Sequence, residues 1–163
     1  MNNSFDFSTA DKFKKIDRDL SVARFALIDT VIKSGQKMTY DEAASIISNL
    51  DMDGNGILEA LIKLNIVGLN ENRDICYLYP VSTELTGHRV KLSDGRAFNT
   101  MCAFDSLGCA TTFGLDAEIF SFCKDTQTEV YIKVVQNEIV EALPFFNLSV
   151  SYYDNWIEGA FNF

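Results

Sequence analysis

A cysteine and an aspartate, Cys102 and Asp105, stand three residues apart within residues 98–114. This segment follows a hairpin signal and starts a predicted helix, so the spacing places both side chains on one face of a helical turn. A thiol beside a carboxylate is suited to proton transfer, because the thiolate is a nucleophile and metal ligand while the acid can hold a proton. The same pair also fits a simpler interpretation, a small core cysteine and a helix-capping aspartate.

Three short motifs lie around this pair: Val90-Lys-Leu-Ser-Asp-Gly-Arg96, Met101-Cys-Ala-Phe-Asp-Ser106 and Ser121-Phe-Cys123. Together they resemble the catalytic core of the alkylmercury (organomercurial) lyases. The pattern of that family runs from a D-G-R hairpin into W-C-A-x-D-[TA], with a further cysteine downstream. The resemblance implies that Cys102 takes the organomercurial as a thiolate and that Asp105 relays the proton that cleaves the carbon–mercury bond. It also implies that Cys123 is structural.

The second catalytic cysteine of that family, in a later F-C-C-H-like segment, has no counterpart here. Residues 160–163 occupy roughly its place, with Asn162 the nearest match, and contain no cysteine. The chain is therefore interpreted as a shortened homologue or as one truncated before that element. Mercury(II) is a soft cation that prefers thiolate ligands. Its second thiolate would have to come from Cys109, Cys123, a partner subunit or added thiol.

Both of these other cysteines have two interpretations. Cys109 lies seven residues after Cys102, two helical turns on, so it is either a second soft ligand on the same face or a core residue. Cys123 ends a predicted strand, where a buried thiol that stabilises the turn is the simpler expectation. With one histidine, His88, and no C-x-x-C pair, no standard zinc site is predicted. The expected substrate or ligand is a soft metal ion, mercury or copper.

The composition indicates a globular protein. Among 163 residues, 47% are hydrophobic and 12% aromatic, enough for a core. A net charge of −9 argues against nucleic-acid binding, which needs a surplus of Lys and Arg. Neither a signal peptide nor a membrane-spanning run is predicted. The four cysteines are too few for a disulfide scaffold, so a cytoplasmic protein with reduced thiols is expected. Its expected partner is a small organometal or thiol-reactive ligand.

The hydrophobic pattern predicts an α+β protein whose first domain, residues 1–80, is winged helix-turn-helix-like. A helix is predicted over residues 9–33, a second after the capping box at residues 39–42, a third around residues 57–64, and then a hairpin. His88, which follows this domain, is expected at the surface or between the domains.

The third predicted helix is an unlikely DNA reader on charge alone. The helix and its entry turn carry Asp51, Asp53 and Glu59 against one lysine, which would repel phosphate. A scaffold that does not bind DNA is therefore favoured over recognition through Asn55, Glu59 and Lys63. The resemblance implies the same, because alkylmercury lyases carry a winged-helix-like N-terminal region that does not bind DNA.

The second domain, residues 81–163, is predicted as the alkylmercury lyase-like core without the C-terminal elements of the family. A tight turn at residues 93–95 joins its first two strands, and a short helix carrying the Cys/Asp pair follows and ends at Gly114. Strands are then predicted over residues 117–122, 129–135 and 142–153. This domain is expected to be a small, mainly antiparallel sheet.

Three functions remain open from the sequence. The first is an alkylmercury lyase-like enzyme with Cys102 as nucleophile and Asp105 as proton relay. The second is a non-catalytic binder of a soft metal or thiol-reactive ligand, with a different lyase or hydrolase chemistry as a variant. The third, a winged-helix regulator that senses metal through Cys102, is disfavoured because its predicted recognition helix is acidic.

Overall fold

The chain divides into two compact units, Met1–Leu78 and Tyr79–Phe163. The computed structural model describes residues 14–123 and 128–143, with only the backbone described at Cys123. In the first unit the elements are, in chain order, α1 (Arg18–Ser34), β1 (Met38–Thr39), α2 (Tyr40–Ser48), α3 (Gly54–Lys63), β2 (Val67–Leu69) and β3 (Asp74–Leu78). In the second unit they are β4 (Val81–Ser82), β5 (His88–Leu92), β6 (Ala97–Thr100), α4 (Ala103–Phe113), β7 (Ala117–Cys123), β8 (Thr128–Val135) and β9 (Glu138–Leu143).

The first helix begins later than the sequence predicts. Asp17 has extended backbone angles, and its Oδ1 accepts a hydrogen bond from the Leu20 N–H at 2.9 Å, so α1 starts at Arg18. The predicted start at residue 9 is therefore wrong for the described residues 14–17, while residues 9–13 lie outside the described part. The aspartate cap satisfies N–H groups that have no partner inside the helix, and this sets the boundary.

The next two helices begin as predicted. At α2 the Thr39 hydroxyl accepts from the Glu42 N–H at 3.3 Å, and the Glu42 carboxylate accepts from the Thr39 N–H at 2.8 Å. This reciprocal pair is a capping box. At α3 the Asp53 carboxylate accepts from the Gly56 N–H at 3.1 Å. The acidic residues before α3 therefore have a structural role in starting the helix.

The three helices pack around a fully buried apolar core and are followed by the β2–β3 hairpin. Both β1 and β2 pair antiparallel with β3. This element order agrees with the predicted winged-helix-like unit, whose assignment to that class stays a prediction. The core side chains with no exposure include Leu27, Ile28, Ile47, Leu58 and Leu61.

A close approach between α2 and α3 depends on Gly54. A Cβ atom built on Gly54 would collide with the backbone oxygen of Ala44 and the hydroxyl of Ser48. We expect Gly54→Ala to destabilise the protein by about 1–3 kcal/mol, because the backbone oxygen has no rotamer with which to move away. Chemical denaturation followed by circular dichroism measures this change.

The matched control is Gly108→Ala in α4. No atom lies within 4 Å of a Cβ built there, so this variant should be stabilised by about 0.5–1 kcal/mol from helix propensity. Equal stability changes in the two variants would contradict the packing explanation.

In the described part of the second unit, six strands form an antiparallel sheet in the order β4-β6-β5-β7-β8-β9. Together with the helices, this confirms the predicted α+β class. Alternate residues of its strands, such as Val90, Ile119 and Ile132, are buried, whereas Arg89 and Phe120 on the other side are exposed. The helix α4 contacts β5, β6, β7 and β8. It therefore packs on the side of the sheet that carries the buried residues.

The last described strand, β9, was not predicted. Gln136 and Asn137 form the turn before it, with φ angles of 51° and 64°. Two consecutive left-handed residues fit a tight hairpin turn, but the usual Asn-Gly or Asp-Gly signal is missing. The strand predicted over residues 142–153 overlaps β9 only at residues 142–143, and residues 144–153 lie outside the described residues. Across the described ranges, no helix has both the length and the apolar character needed to cross a membrane.

Candidate functional site

Cys102 lies at the start of α4, where the chain leaves β6. Its backbone is extended, with φ −151° and ψ 173°, and its carbonyl accepts the Ser106 N–H at 3.1 Å to begin the helix. Residues at this position normally cap the helix with a side-chain oxygen. The Cys102 side chain makes no such capping bond and is half-buried. The thiol therefore lies at the N-terminus of a helix.

Asp105 lies in the first turn of α4 and is only 2% exposed. Its oxygen Oδ2 is shielded from solvent, and its negative charge acts on the nearby Cys102 thiol. A carboxylate is favoured near a helix N-terminus, where the peptide dipoles leave partial positive charge. The structure thus brings Cys102 and Asp105 together, at the spacing from which their contact was predicted.

The surroundings of Cys102 keep its thiol protonated. Burial, the largest cause, and the negative charge of Asp105 together raise the pKa of Cys102 to about 12. The backbone N–H groups of Asp105 and Phe104 act in the opposite direction but are outweighed. A thiol with this pKa needs a base to remove its proton as it binds a metal.

The alkylation rate of Cys102 should report this raised pKa directly. Since the thiolate is the reactive form and the pKa is about 12, roughly one thiol in 10⁴ is ionised at pH 8. We expect iodoacetamide labelling to speed up about tenfold per pH unit between pH 7 and 11, without a plateau.

Mass spectrometry of the Cys102 peptide after brief labelling measures this rate. The unfolded protein in denaturant is the control and should level off near the ordinary thiol pKa of 9.0. A plateau below pH 9 in the folded protein would contradict the buried, protonated state.

Two other cysteines, Cys109 and Cys123, were predicted as possible metal ligands. Cys109 has no exposure, and its thiol donates to the Asp105 carbonyl at 3.2 Å, which favours the core interpretation. Cys123 ends β7, paired with Thr128, as predicted, and its side chain is outside the described residues, as is Asn162. In the described part of the chain, no three His, Cys, Asp or Glu side chains form a group that could hold a metal ion.

A hydroxyl cluster behind the Cys102 carbonyl was missed by the sequence analysis. It consists of Thr86, Thr100 and Ser106. The Ser106 hydroxyl donates to the Cys102 carbonyl at 3.1 Å, and the Thr100 and Ser106 hydroxyls are 2.5 Å apart. The Thr86 hydroxyl donates to the Thr100 carbonyl at 2.6 Å. Hydroxyl residues near a helix start are common, so only their contacts in the folded chain single out this cluster.

His88, expected at the surface or between the domains, is half-buried on β5, and its Nδ1 is 3.0 Å from the Ser121 hydroxyl on the neighbouring strand β7. The strand register, which pairs His88 with Ser121, brings these two side chains together. Burial lowers the pKa of His88, which favours the neutral ring.

Comparison with known proteins bears on this same part of the chain. Residues 81–152 match the family model described as MerB, alkylmercury lyase, which confirms the resemblance seen in the sequence. This range contains the Cys102–Asp105 pair and strands β4 to β9. No curated protein matches the chain.

Among solved structures, the chain is similar to the "Crystal structure of the mercury-bound form of MerB2". The TM-score is 0.58 at 18% sequence identity, and the match covers 83% of this chain. The chain spans 65% of the length of that protein. At this identity the likeness shows a shared fold, and the chemistry has to be argued from the residues.

Proposed function

We propose that this chain, whose residues 81–152 match the alkylmercury lyase family, is an alkylmercury lyase-like protein that cleaves a carbon–mercury bond by protonolysis. One observation carries the proposal. Within the matched range, the buried carboxylate of Asp105 lies close enough to the half-buried Cys102 thiol, at a helix N-terminus, for its negative charge to raise the pKa of that thiol. Two neighbouring side chains therefore supply a thiol that can bind a soft electrophile and a carboxylate that can transfer a proton.

The proposed reaction needs two proton movements. As the Cys102 sulfur binds the mercury of an organomercurial, its thiol proton passes to the carboxylate of Asp105, and the anion that accompanied the mercury leaves. Asp105 then delivers this proton to the carbon, the carbon–mercury bond breaks, and the hydrocarbon departs. Mercury(II) remains on sulfur, and Asp105 is again a carboxylate. The raised pKa of Cys102 makes this relay necessary at neutral pH.

A second thiolate on mercury should come from added thiol. Cys109 is fully buried and already donates to a backbone carbonyl, so it would have to leave the core to reach a substrate. The half-buried Cys102 is reachable from solvent, and Phe104 beside it is 50% exposed. This exposed apolar side chain offers a surface for the organic group of a substrate.

The test is product analysis. Phenylmercury is incubated with the protein and excess cysteine, and benzene is measured by gas chromatography–mass spectrometry. We expect catalytic benzene release above a protein-free control containing the same thiol. Release that needs the added thiol would support an external second ligand. Uptake of mercury at Cys102 with no benzene would overturn the enzyme assignment.

That last outcome would instead establish the second candidate, a non-catalytic binder of soft metals. One observation favours it: the chain has no cysteine at the place of the second catalytic cysteine in the family. The binder hypothesis predicts one mercury per protein, held by Cys102 and released only by excess thiol. Mass spectrometry of the intact protein under native conditions measures this stoichiometry.

We further propose that the first unit is a winged-helix-like scaffold that does not bind DNA. The α3 residues Asn55, Glu59 and Lys63 are exposed. The carboxylate of Glu59 accepts a hydrogen bond from the Tyr40 hydroxyl at 2.9 Å. A fixed negative charge on this helix would oppose a phosphate backbone.

A further inference from the structure

The hydroxyl cluster links the residue that carries the thiol to the sheet. Thr100 is the last residue of β6, Ser106 lies in the first turns of α4, and both have no exposure. Their hydroxyls are 2.5 Å apart, and both lie near the Cys102 carbonyl. Buried hydroxyl groups at such distances hold each other in place, because a lost hydrogen bond there is not replaced by water.

The distances indicate which hydroxyl in this cluster donates and which group accepts. Each hydroxyl has one proton to donate. The Ser106 hydroxyl is 3.1 Å from the Cys102 carbonyl, whereas the Thr100 hydroxyl is 3.4 Å away. The shorter distance favours Ser106 as donor to Cys102, which leaves Thr100 to donate to Ser106. The bonds therefore run from the strand to the helix and end on Cys102.

A serine that bonds the carbonyl four residues earlier is common in helices and would not by itself indicate a function. In α2, Ser48 makes the same bond to the Ala44 carbonyl at 3.0 Å. The difference at α4 is Thr100, which comes from another element and ties the helix start to the end of β6. This connection fixes the backbone of Cys102, whose thiol lies near the Asp105 carboxylate.

We propose that Ser106 and Thr100 are positioning residues for Cys102. By holding its carbonyl, they keep the thiol in its half-buried place beside the Asp105 carboxylate and the N–H groups of α4. The inference rests on the proposed role of Cys102 in the reaction. It adds two residues that do not touch the substrate and act through Cys102.

The test compares Ser106→Ala and Thr100→Val with two controls in the full-length protein. Ser106→Thr restores a hydroxyl at the same position, and Ser48→Ala removes the same kind of bond from α2. Two quantities are measured: the pH profile of Cys102 alkylation, read from its peptide by mass spectrometry, and kcat and KM for phenylmercury cleavage.

We expect Ser106→Ala to let Cys102 move toward solvent, which lowers its pKa. Alkylation at pH 8 should then become about tenfold faster, which corresponds to one pKa unit. At the same time kcat should fall about tenfold with little change in KM, because a displaced thiol no longer meets the proton relay. Thr100→Val should change both quantities in the same direction but less, since Ser106 keeps its bond to Cys102. Ser106→Thr and Ser48→Ala should resemble the parent protein.

The proposal would be overturned if Ser106→Ala and Thr100→Val lowered the melting temperature but left the alkylation profile of Cys102 unchanged. Alkylation requires no mercury, so the two proposals fail separately. If Ser106→Ala changed the alkylation profile of Cys102 while the parent protein released no benzene, the positioning role would stand and the lyase reaction would be rejected.

Discussion

Replacing Cys102 with serine should reduce organomercurial cleavage by about 10³-fold or more, to the rate of the thiol in solution. A serine hydroxyl is a hard ligand that binds mercury(II) weakly, and the proton held between residues 102 and 105 loses its route to the carbon. Fold and stability should change little, because the Cys102 side chain makes no capping bond. Benzene release from phenylmercury under excess thiol measures the loss.

Cys109→Ser is the matched control for this prediction. Cys109 lies in the same helix with no exposure, so its replacement should lower stability but leave most of the activity. Activity that disappears in Cys109→Ser, with the protein still folded, would show that Cys109 is the second mercury ligand. That result would contradict the assignment of Cys109 to the core.

Replacing Asp105 with asparagine should have opposite effects on catalysis and on thiol reactivity. Loss of the acid–base group should slow cleavage by about 10²- to 10⁴-fold. The negative charge of Asp105 contributes to the raised pKa of Cys102, so its removal lowers that pKa. Burial, the larger cause, remains and keeps the value above the ordinary one. Cys102 in Asp105→Asn should therefore be alkylated faster at pH 8 than in the parent protein.

The control for this variant is Asp94→Asn. Asp94 lies in the turn between β5 and β6, where its carboxylate accepts from the Arg96 side chain at 2.7 Å. Its removal should leave both cleavage and Cys102 alkylation unchanged. If Asp105→Asn slowed alkylation, or kept full cleavage activity, the proposed proton relay would be wrong.

Local signals in the sequence correctly predicted where several helices begin or end. The capping box at Thr39 and the glycine stop at Gly114, where φ is 63°, depend only on neighbouring residues and appear as predicted. The closeness of the Cys102 and Asp105 side chains is also a local property, because a three-residue separation spans less than one helical turn. These features need no knowledge of the rest of the chain.

Other properties of the site could not be predicted, because they depend on packing. The sequence gives no measure of how deeply Asp105 is buried, and this burial changes the chemistry of Cys102. The contact between Thr100 and Ser106 depends on the path of the chain from β6 to α4. No sequence motif predicts that path. The Gln136–Asn137 turn was missed for a different reason, since non-glycine residues rarely adopt two successive left-handed conformations.

The raised pKa of Cys102 has a consequence for the resting protein. Hydrogen peroxide and disulfides react with thiolates, and a cysteine that is almost wholly protonated offers them little of this form. Oxidative stress should therefore spare Cys102 compared with cysteines of lower pKa. The residue stays available for an electrophile that binds sulfur strongly enough to displace the proton.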